Sequence, residues 1–354
     1  MSTFIQLHLL TSYPPSNLNR DDLGRPKTAV MGGKNRLRVS SQSLKRAWRT
    51  SDLFESALAG HIGKRTKKMG IEIYRMLCSK GVSETKAKEF AKTIVEFFGA
   101  TEGADKDKPL KELESSQLVH FNTSEINAFA KLTDKIAGEG KLDTVDLKKL
   151  VAKRHDVDVA MFGRMLTGKE IVKVATDPEA AVQVAHAITV HEVAVEDDYF
   201  TAVDDLNRGE DDLGAAHIGE TEFAAGLFYL YVCINRDLLV ENLGGNKDLA
   251  DKAIGALIEA AVKVAPNGKQ NSFGSRAYAS YLMAEKGEQQ PRSLSVAFLK
   301  PVRGEDYLAK AISELESQRA NMEKIYGPCA ADKRVMNAQT GVGSLNDITA
   351  FVKG

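Results

Sequence analysis

The sequence predicts an α+β protein built on one antiparallel sheet. Three observations carry that. Apolar residues alternate with others at 5–9 and 228–235, the period of a strand. Apolar residues recur at helical spacing over 249–261 and 308–325. Between the strand signals lies a block, 55–155, that reads as helical and as an insertion with its own small core.

The elements follow in order. Ile5, Leu7 and Leu9 alternate with Gln6 and His8 and form a first strand. Residues 11–35 hold three prolines and three glycines and read as one long loop. Leu37 and Val39 alternate with Arg36 and Arg38, a short strand with one basic face. Ser40-Ser41 supplies a helix N-cap, and Leu44, Ala47 and Trp48 mark the apolar side of the helix that follows. In the helical block, Ser83 caps a helix through Ala87, Phe90, Ile94 and Phe98, stopped by Gly99. Ser124 is expected to cap another, and a short helix is expected within 141–154. Strands are expected again at Val157 and Val159 and at 182–193. The run 228–235 is a clear strand, 249–261 a helix, 276–284 and 292–299 a strand pair, and 308–325 a last long helix ended by Gly327-Pro328. A ferredoxin-like sheet, which is also the RNA-recognition-motif core, is the most economical form of this pattern.

Composition narrows the function. Over 354 residues, 43% apolar and 27% charged, the chain is neither disordered nor fibrous. Forty-eight basic residues balance forty-eight acidic ones, which excludes a uniformly basic nucleic-acid binder but not a locally basic one. Residues 20–49 carry nine basic residues against two acidic, a net +7. Residues 192–222 carry eleven acidic residues against Arg208 alone, a net −10. No apolar run approaches the roughly 18 residues of a membrane span. The first residues lack the basic start of a signal peptide, and Cys78, Cys233 and Cys329 form no CxxC. A cytoplasmic protein without a membrane partner is expected.

The strongest local signal is Ser40-Ser41-Gln42-Ser43-Leu44-Lys45-Arg46-Ala47-Trp48-Arg49. Lys45 and Arg49 are like charges at i and i+4, which costs an isolated helix about 0.2–0.5 kcal/mol. They also sit near a helix start, where the dipole disfavours cations. A bound anion would offset both penalties, with the free amides of the helix start, Ser40 and Gln42 holding a phosphate. Arg20, Lys27 and Lys34 would extend that track. From the pattern alone, an ordinary basic surface helix is an equally good reading. Enzyme signals are poor: no P-loop, no HExxH and no GxSxG. His155-Asp156-Val157-Asp158 reads as a solvated edge, and His186, His191 and His120 lack companions for a metal. No cofactor is expected. Asp21-Asp22 is the one acidic pair placed to position a metal beside a phosphodiester. A loop carboxylate paired to its arginine neighbours is the commoner case.

A set of ordered strings carries a resemblance. Asn17-Leu18-Asn19-Arg20-Asp21-Asp22, Gly32-Gly33-Lys34, Arg38 to Ala47, Ala185-His186-Ala187-Ile188-Thr189, Phe200 to Leu206 and Glu241-Asn242-Leu243-Gly244-Gly245 resemble the CasC backbone subunit of the type I-E CRISPR Cascade complex. The likeness runs from residue 1 to about 270, and is weak in the helical block and the last eighty residues. It implies an RRM-like (ferredoxin-like) palm at 1–60, 156–190 and 224–354, helical fingers at 61–155 and a β-hairpin thumb at 191–223. It implies a non-catalytic subunit whose copies polymerise along one crRNA, kink it at six-nucleotide intervals and present it to invader DNA. The implied partners are crRNA, target DNA through the guide, neighbouring copies, and the small, large, end-capping and crRNA-processing subunits of Cascade. The implied RNA contacts are Arg20, Lys27, Lys34, Ser40, Gln42, Lys45, Arg49, Arg164 and Met165. Tyr199, Phe200 and Thr201 fall where the thumb presses on the displaced nucleotide. The acidic tip, Glu210-Asp211-Asp212, would face a neighbouring subunit. An acidic-loop endonuclease using Asp21 or Asp22 is the alternative that the same resemblance leaves.

Overall fold

The computed structural model describes residues 2–152, 154–168, 171, 178–202 and 217–353. In chain order the elements are β1 (Phe4–Ser16), β2 (Thr28–Met31), β3 (Lys34–Val39), α1 (Ser41–Arg49), α2 (Asp52–Ala57), β4 (Lys64–Thr66), α3 (Met69–Ser79) and α4 (Glu84–Phe98). Then come β5 (Val119–Phe121), α5 (Thr123–Glu139), α6 (Thr144–Lys148), α7 (Val157–Phe162), β6 (Val182–Val184), β7 (Ala187–Thr189), β8 (Glu196–Ala202) and β9 (His217–Asn235). The rest is α8 (Arg236–Asn242), α9 (Lys247–Lys263), α10 (Gln270–Phe273), β10 (Tyr281–Gly287), α11 (Tyr307–Tyr326), β11 (Asp332–Asn337) and α12 (Leu345–Val352). The protein is α+β, with two compact units: 1–55 with 183–235 and 254–354, and 56–182 with 236–253.

The first unit holds the large sheet. Among the described residues its order is β11-β10-β1-β9-β7-β3-β2, with β6 and β8 also pairing to β9. The pairings β1–β10, β1–β9, β10–β11, β2–β3, β3–β7, β7–β9 and β8–β9 are antiparallel. β1 is a central strand, and the consecutive residues 5–10 are all buried, so both its faces are covered there. Ile5, Leu7 and Leu9 are buried as expected, but so are Gln6 and His8. Those two polar side chains need partners inside the protein. His8 Nε2 donates to Glu285 Oε2 at 3.1 Å, and its Nδ1 accepts from the Tyr229 hydroxyl at 2.9 Å. Arg292 grips the same carboxylate with both terminal nitrogens, and Arg319 Nε donates to it at 2.6 Å. Tyr229, Tyr281, Leu294, Phe298 and Leu315 belong to the apolar core of this unit.

The second unit is mostly helical. α3, α4 and α5 bury Ile73, Leu77, Ile94, Phe98, Phe129 and Ile136 around Phe121 of β5. The Phe98 ring meets Phe121 and Phe129 edge-on at 5.2 and 5.5 Å. Residues 156–182 and 236–253 group with this helical block rather than with the sheet.

Several local expectations need correction. The 11–35 loop contains the end of β1 and all of β2, which forms a hairpin with β3. Gly32 and Gly33 turn it with φ of 60° and 71°, the conformation that favours glycine in a two-residue turn. A Cβ on Gly32 would also stand 1.8 Å from the Leu299 carbonyl oxygen. Val157 and Val159 lie in helix α7, because Asp156 takes the N-cap position and the chain winds from there. Helix α5 is capped by Asn122, not Ser124, through a reciprocal box with Glu125. The expected strand at 292–299 is instead a turn of 3₁₀ helix at Ser295–Phe298, and β10 pairs with β1 and β11. β11 and α12 carried too weak a pattern to be read.

The basic face of β3 is also corrected. Arg36 is fully buried, and its guanidinium donates to the carbonyls of Thr189 at 2.9 Å and Phe298 at 3.0 Å. Burial pulls its pKa down. Arg38, two residues on, stays half-buried.

Candidate nucleic-acid interface

The interface is built where β3 runs into α1. Register does the assembly. β3 pairs with β7 so that Arg38 faces Ile188 and Val39 faces Ala187. The next step along both strands brings Ser40 opposite His186. His186 Nδ1 accepts from the Ser41 backbone amide and from Arg38 Nη1, each at 3.2 Å. In the neutral ring those two donors leave the proton on Nε2. Burial lowers the His186 pKa, and the nearby charges of Arg38, Lys27 and Lys45 lower it further. Arg38 of the strand thus touches an exposed imidazole, and the charges of Lys27 on the loop and Lys45 on the helix act on it.

The helix start is closed by the protein itself. Ser40 Oγ accepts from Ser43 N at 3.3 Å, and Ser40 N donates to Asn19 Oδ1 at 2.9 Å. Such a cap is worth about 1 kcal/mol. With the Ser41 amide on His186 and the Ser43 amide on Ser40, an anion here meets side-chain ends rather than a row of bare amides. Ser40 thus caps the helix as expected, and a hydroxyl that accepts one bond can still donate its hydrogen to a phosphate.

The other expected residues divide. Lys27 N donates to Asn19 O and Lys27 O accepts from Arg38 N, both at 2.8 Å, which ties the loop to β3. Gln42 and Arg20 are exposed, and Lys45 and Arg49 are half-exposed along α1. Lys34 lies at the far end of β3, about 20 Å from the helix start at roughly 3.3 Å per residue. Its ammonium pairs with Glu192 at 3.1 Å. Asp21 Oδ1 accepts from the amides of Leu23 and Arg25 at 3.0 and 2.9 Å, so that carboxylate shapes its own turn. Asp22 is exposed.

Two expected sites lie elsewhere. Arg164, in the second unit, is a correction: its side chain is buried and forks onto Glu125 at 2.7 and 3.0 Å. It also donates to the His120 carbonyl at 3.2 Å, so its charge is spent inside the protein. His120 in turn finds the companion that its sequence neighbours lack, Asp158, at 2.7 Å. Met165 follows Arg164 and is 66% exposed. On β8, Tyr199 and Phe200 are 65% and 42% exposed and point to opposite faces. Tyr199 pairs with Glu220, Phe200 with Gly219 and Thr201 with Ile218. The Phe200 ring lies over Gly219, where a Cβ would come within 2.3 Å of it. The acidic tip at 210–212 lies outside the described residues.

Comparison with known proteins decides the family. The CT1975-like protein family matches residues 5–350. The chain belongs to that family. Two solved chains have the same fold over nearly the whole length. One, of a "CRISPR RNA-guided surveillance complex, pre-nicking", has a TM-score of 0.83 at 31% identity and covers 99% of each chain. Another, of a "CRISPR RNA-guided surveillance complex", has a TM-score of 0.74 at 26% identity, covering 99% of this chain and 100% of that one. No curated protein matched. The resemblance to the Cascade backbone subunit is borne out by both kinds of match. In this CT1975-like chain, His186, Arg38 and Arg46 are surface residues of this region to which the sequence alone assigned no contact. His186 stands 145 positions from Ser41, and only the β3–β7 register joins them.

Proposed function

We propose that the protein is a non-catalytic crRNA-binding backbone subunit of a type I-E Cascade surveillance complex. Its copies polymerise along the guide RNA in the cytoplasm and present it in kinked six-nucleotide segments for pairing with invader DNA. In this reading the RRM-like palm carries the strand, the helical block at 61–155 forms the fingers, and the hairpin around β8 and β9 is the thumb. The observation that carries the reading is the meeting of Arg38 and the first amide of α1 on the exposed His186, beside the exposed and half-exposed cations Arg20, Lys27, Lys45 and Arg49.

The physical argument is one of readout. A guide of any sequence has to be held by phosphate contacts and stacking, without a base-edge code. Sequence is then read by base pairing. Arg20, Lys27, Lys45 and Arg49 supply the phosphate contacts, with His186 and Arg38 added here. Exposed Met165 and Phe200 supply apolar surfaces that a base can meet, and Arg164 holds the Met165 segment through Glu125. Asp21 serves its turn rather than a reaction, which favours a binding subunit over an endonuclease.

Size analysis with a guide-length RNA tests the reading. Several copies loading on one RNA supports it. A single copy per RNA contradicts the polymerising subunit. Magnesium-dependent cleavage of a complementary RNA, abolished by Asp21→Ala or Asp22→Ala, contradicts the non-catalytic assignment.

A further inference from the structure

A polar cavity of about 560 Å³ opens beside α1, between the loop at 18–21 and the loop at 267–268. Its volume lies within the roughly 300–1,000 Å³ of pockets that hold small ligands. Arg20 and Arg46 line it from two elements, and no hydrogen bond or ion pair of either guanidinium is found among the described residues. Ser43 and Thr50 add hydroxyls and Asn267 adds an amide. Asp21 also lines it, and one of its carboxylate oxygens already accepts two backbone amides.

The far wall is fixed. A Cβ on Gly268 would stand 2.2 Å from the Leu18 carbonyl oxygen, so the two loops touch backbone to backbone. The next residue, Lys269, holds a φ of 48°, a conformation that non-glycine residues adopt only where the surroundings impose it. Its Nζ donates to Thr221 Oγ1 at 3.3 Å.

Helix geometry joins this cavity to the rim. At about 100° per residue, Gln42, Lys45 and Arg49 share one stripe of α1, and Ser43 and Thr50 share the next. Arg46 stands on the border of both. A strand lying on the first stripe passes the mouth of the cavity. The contents are suited to a nucleotide: guanidinium forks for a phosphate, hydroxyls and an amide for ribose and base edges.

We propose that the cavity takes one nucleotide of the strand held by the α1 cations, with its phosphate on Arg46 and Arg20. The inference rests on the RNA-binding reading and adds a site to it. The test is the affinity of the full-length protein for a fluorescent single-stranded RNA across a salt series. Variants are Arg46→Ala, which removes the charge, and Thr50→Phe, which fills the cavity and leaves every charge in place. Lys45→Glu serves as the control for the track, and thermal melting checks that each variant is folded. The expected result is roughly tenfold weaker binding for Arg46→Ala. Its log–log salt slope should be shallower by about 0.7, the value for one phosphate on a single strand. Thr50→Phe should weaken binding severalfold with an unchanged slope. If Lys45→Glu weakens binding while Arg46→Ala and Thr50→Phe bind like wild type, the cavity proposal is overturned and the track stands. If Arg46→Ala weakens binding and Thr50→Phe does not, Arg46 acts from outside and the cavity is not entered. Wild-type affinity in all three variants overturns the RNA-binding reading itself.

Discussion

Around Glu285, two guanidinium groups and one imidazole meet a single buried carboxylate. At the start of α1, Arg38 and the Ser41 amide meet one imidazole at the surface, and the charges of Lys27 and Lys45 act on the same ring. Both places collect positive charge in the same compact unit. Inside, the charges are matched, and removing a partner strands the others in a low dielectric. At the surface, water screens the cations, and what they gain from a polyanion is not spent on folding. The contrast separates arginines that a sequence count treats as equal. Arg36, Arg164, Arg292 and Arg319 hold the fold together, while Arg20 and Arg46 are exposed and Arg49 is half-exposed.

The largest effect expected on this contrast is at Glu285. Replacing it with alanine leaves Arg292 and Arg319 without their carboxylate and should cost about 3–5 kcal/mol in denaturant unfolding. A loss below about 1 kcal/mol would mean that the cluster does not anchor the sheet.

Acid should act on the same cluster. Burial raises the Glu285 pKa, but hydrogen bonds from His8 and Arg292 more than reverse this and hold it well below the usual carboxylate range. Its contribution is therefore present above pH 4.5 and is lost as the pH falls through the folded value. Burial also lowers the His8 pKa, so stability begins to fall once the pH drops below 6.5. Melting temperature should decline from pH 7 downward, and Glu285→Ala should lose the part of that decline that lies below pH 4.5. An identical decline in the variant would assign the acid sensitivity elsewhere.

The smallest expected effect on folding is at Phe200, which is exposed and packs on Gly219 alone of the glycines. Phe200→Ala should leave melting and guide-RNA affinity nearly unchanged while impairing capture of a complementary duplex target. Stacking of one base is worth about 1–3 kcal/mol, which sets the size of the loss. Normal target capture would return Phe200 to simple hairpin packing.

Legibility in the sequence followed distance along the chain. The α1 cap at Ser40, the buried face of Leu44, Ala47 and Trp48, and the helices stopped by Gly99 and Gly327 were readable because each depends on neighbours within a few residues. The burial of His8 was not, because it depends on Glu285 and Tyr229, nor was that of Gln6, which depends on Tyr231 and Arg292, all more than two hundred positions away. Arg164 looked like a contact for RNA until Glu125, 39 positions earlier, claimed it. His186 looked idle until strand register set it against Ser41. At the site, the stripe of Gln42, Lys45 and Arg49 was local and visible, whereas the groups that complete it came from pairing between strands.

The salt dependence of RNA affinity tests the central claim most directly. With about four phosphates neutralised per subunit, log K for a single strand should fall with log salt at a slope near −3. The Lys45→Glu/Arg49→Glu double variant should fold normally, bind at least about tenfold more weakly, and show a slope shallower by about 1.4. A double variant with the wild-type slope and affinity would contradict the claim that this rim holds the RNA backbone.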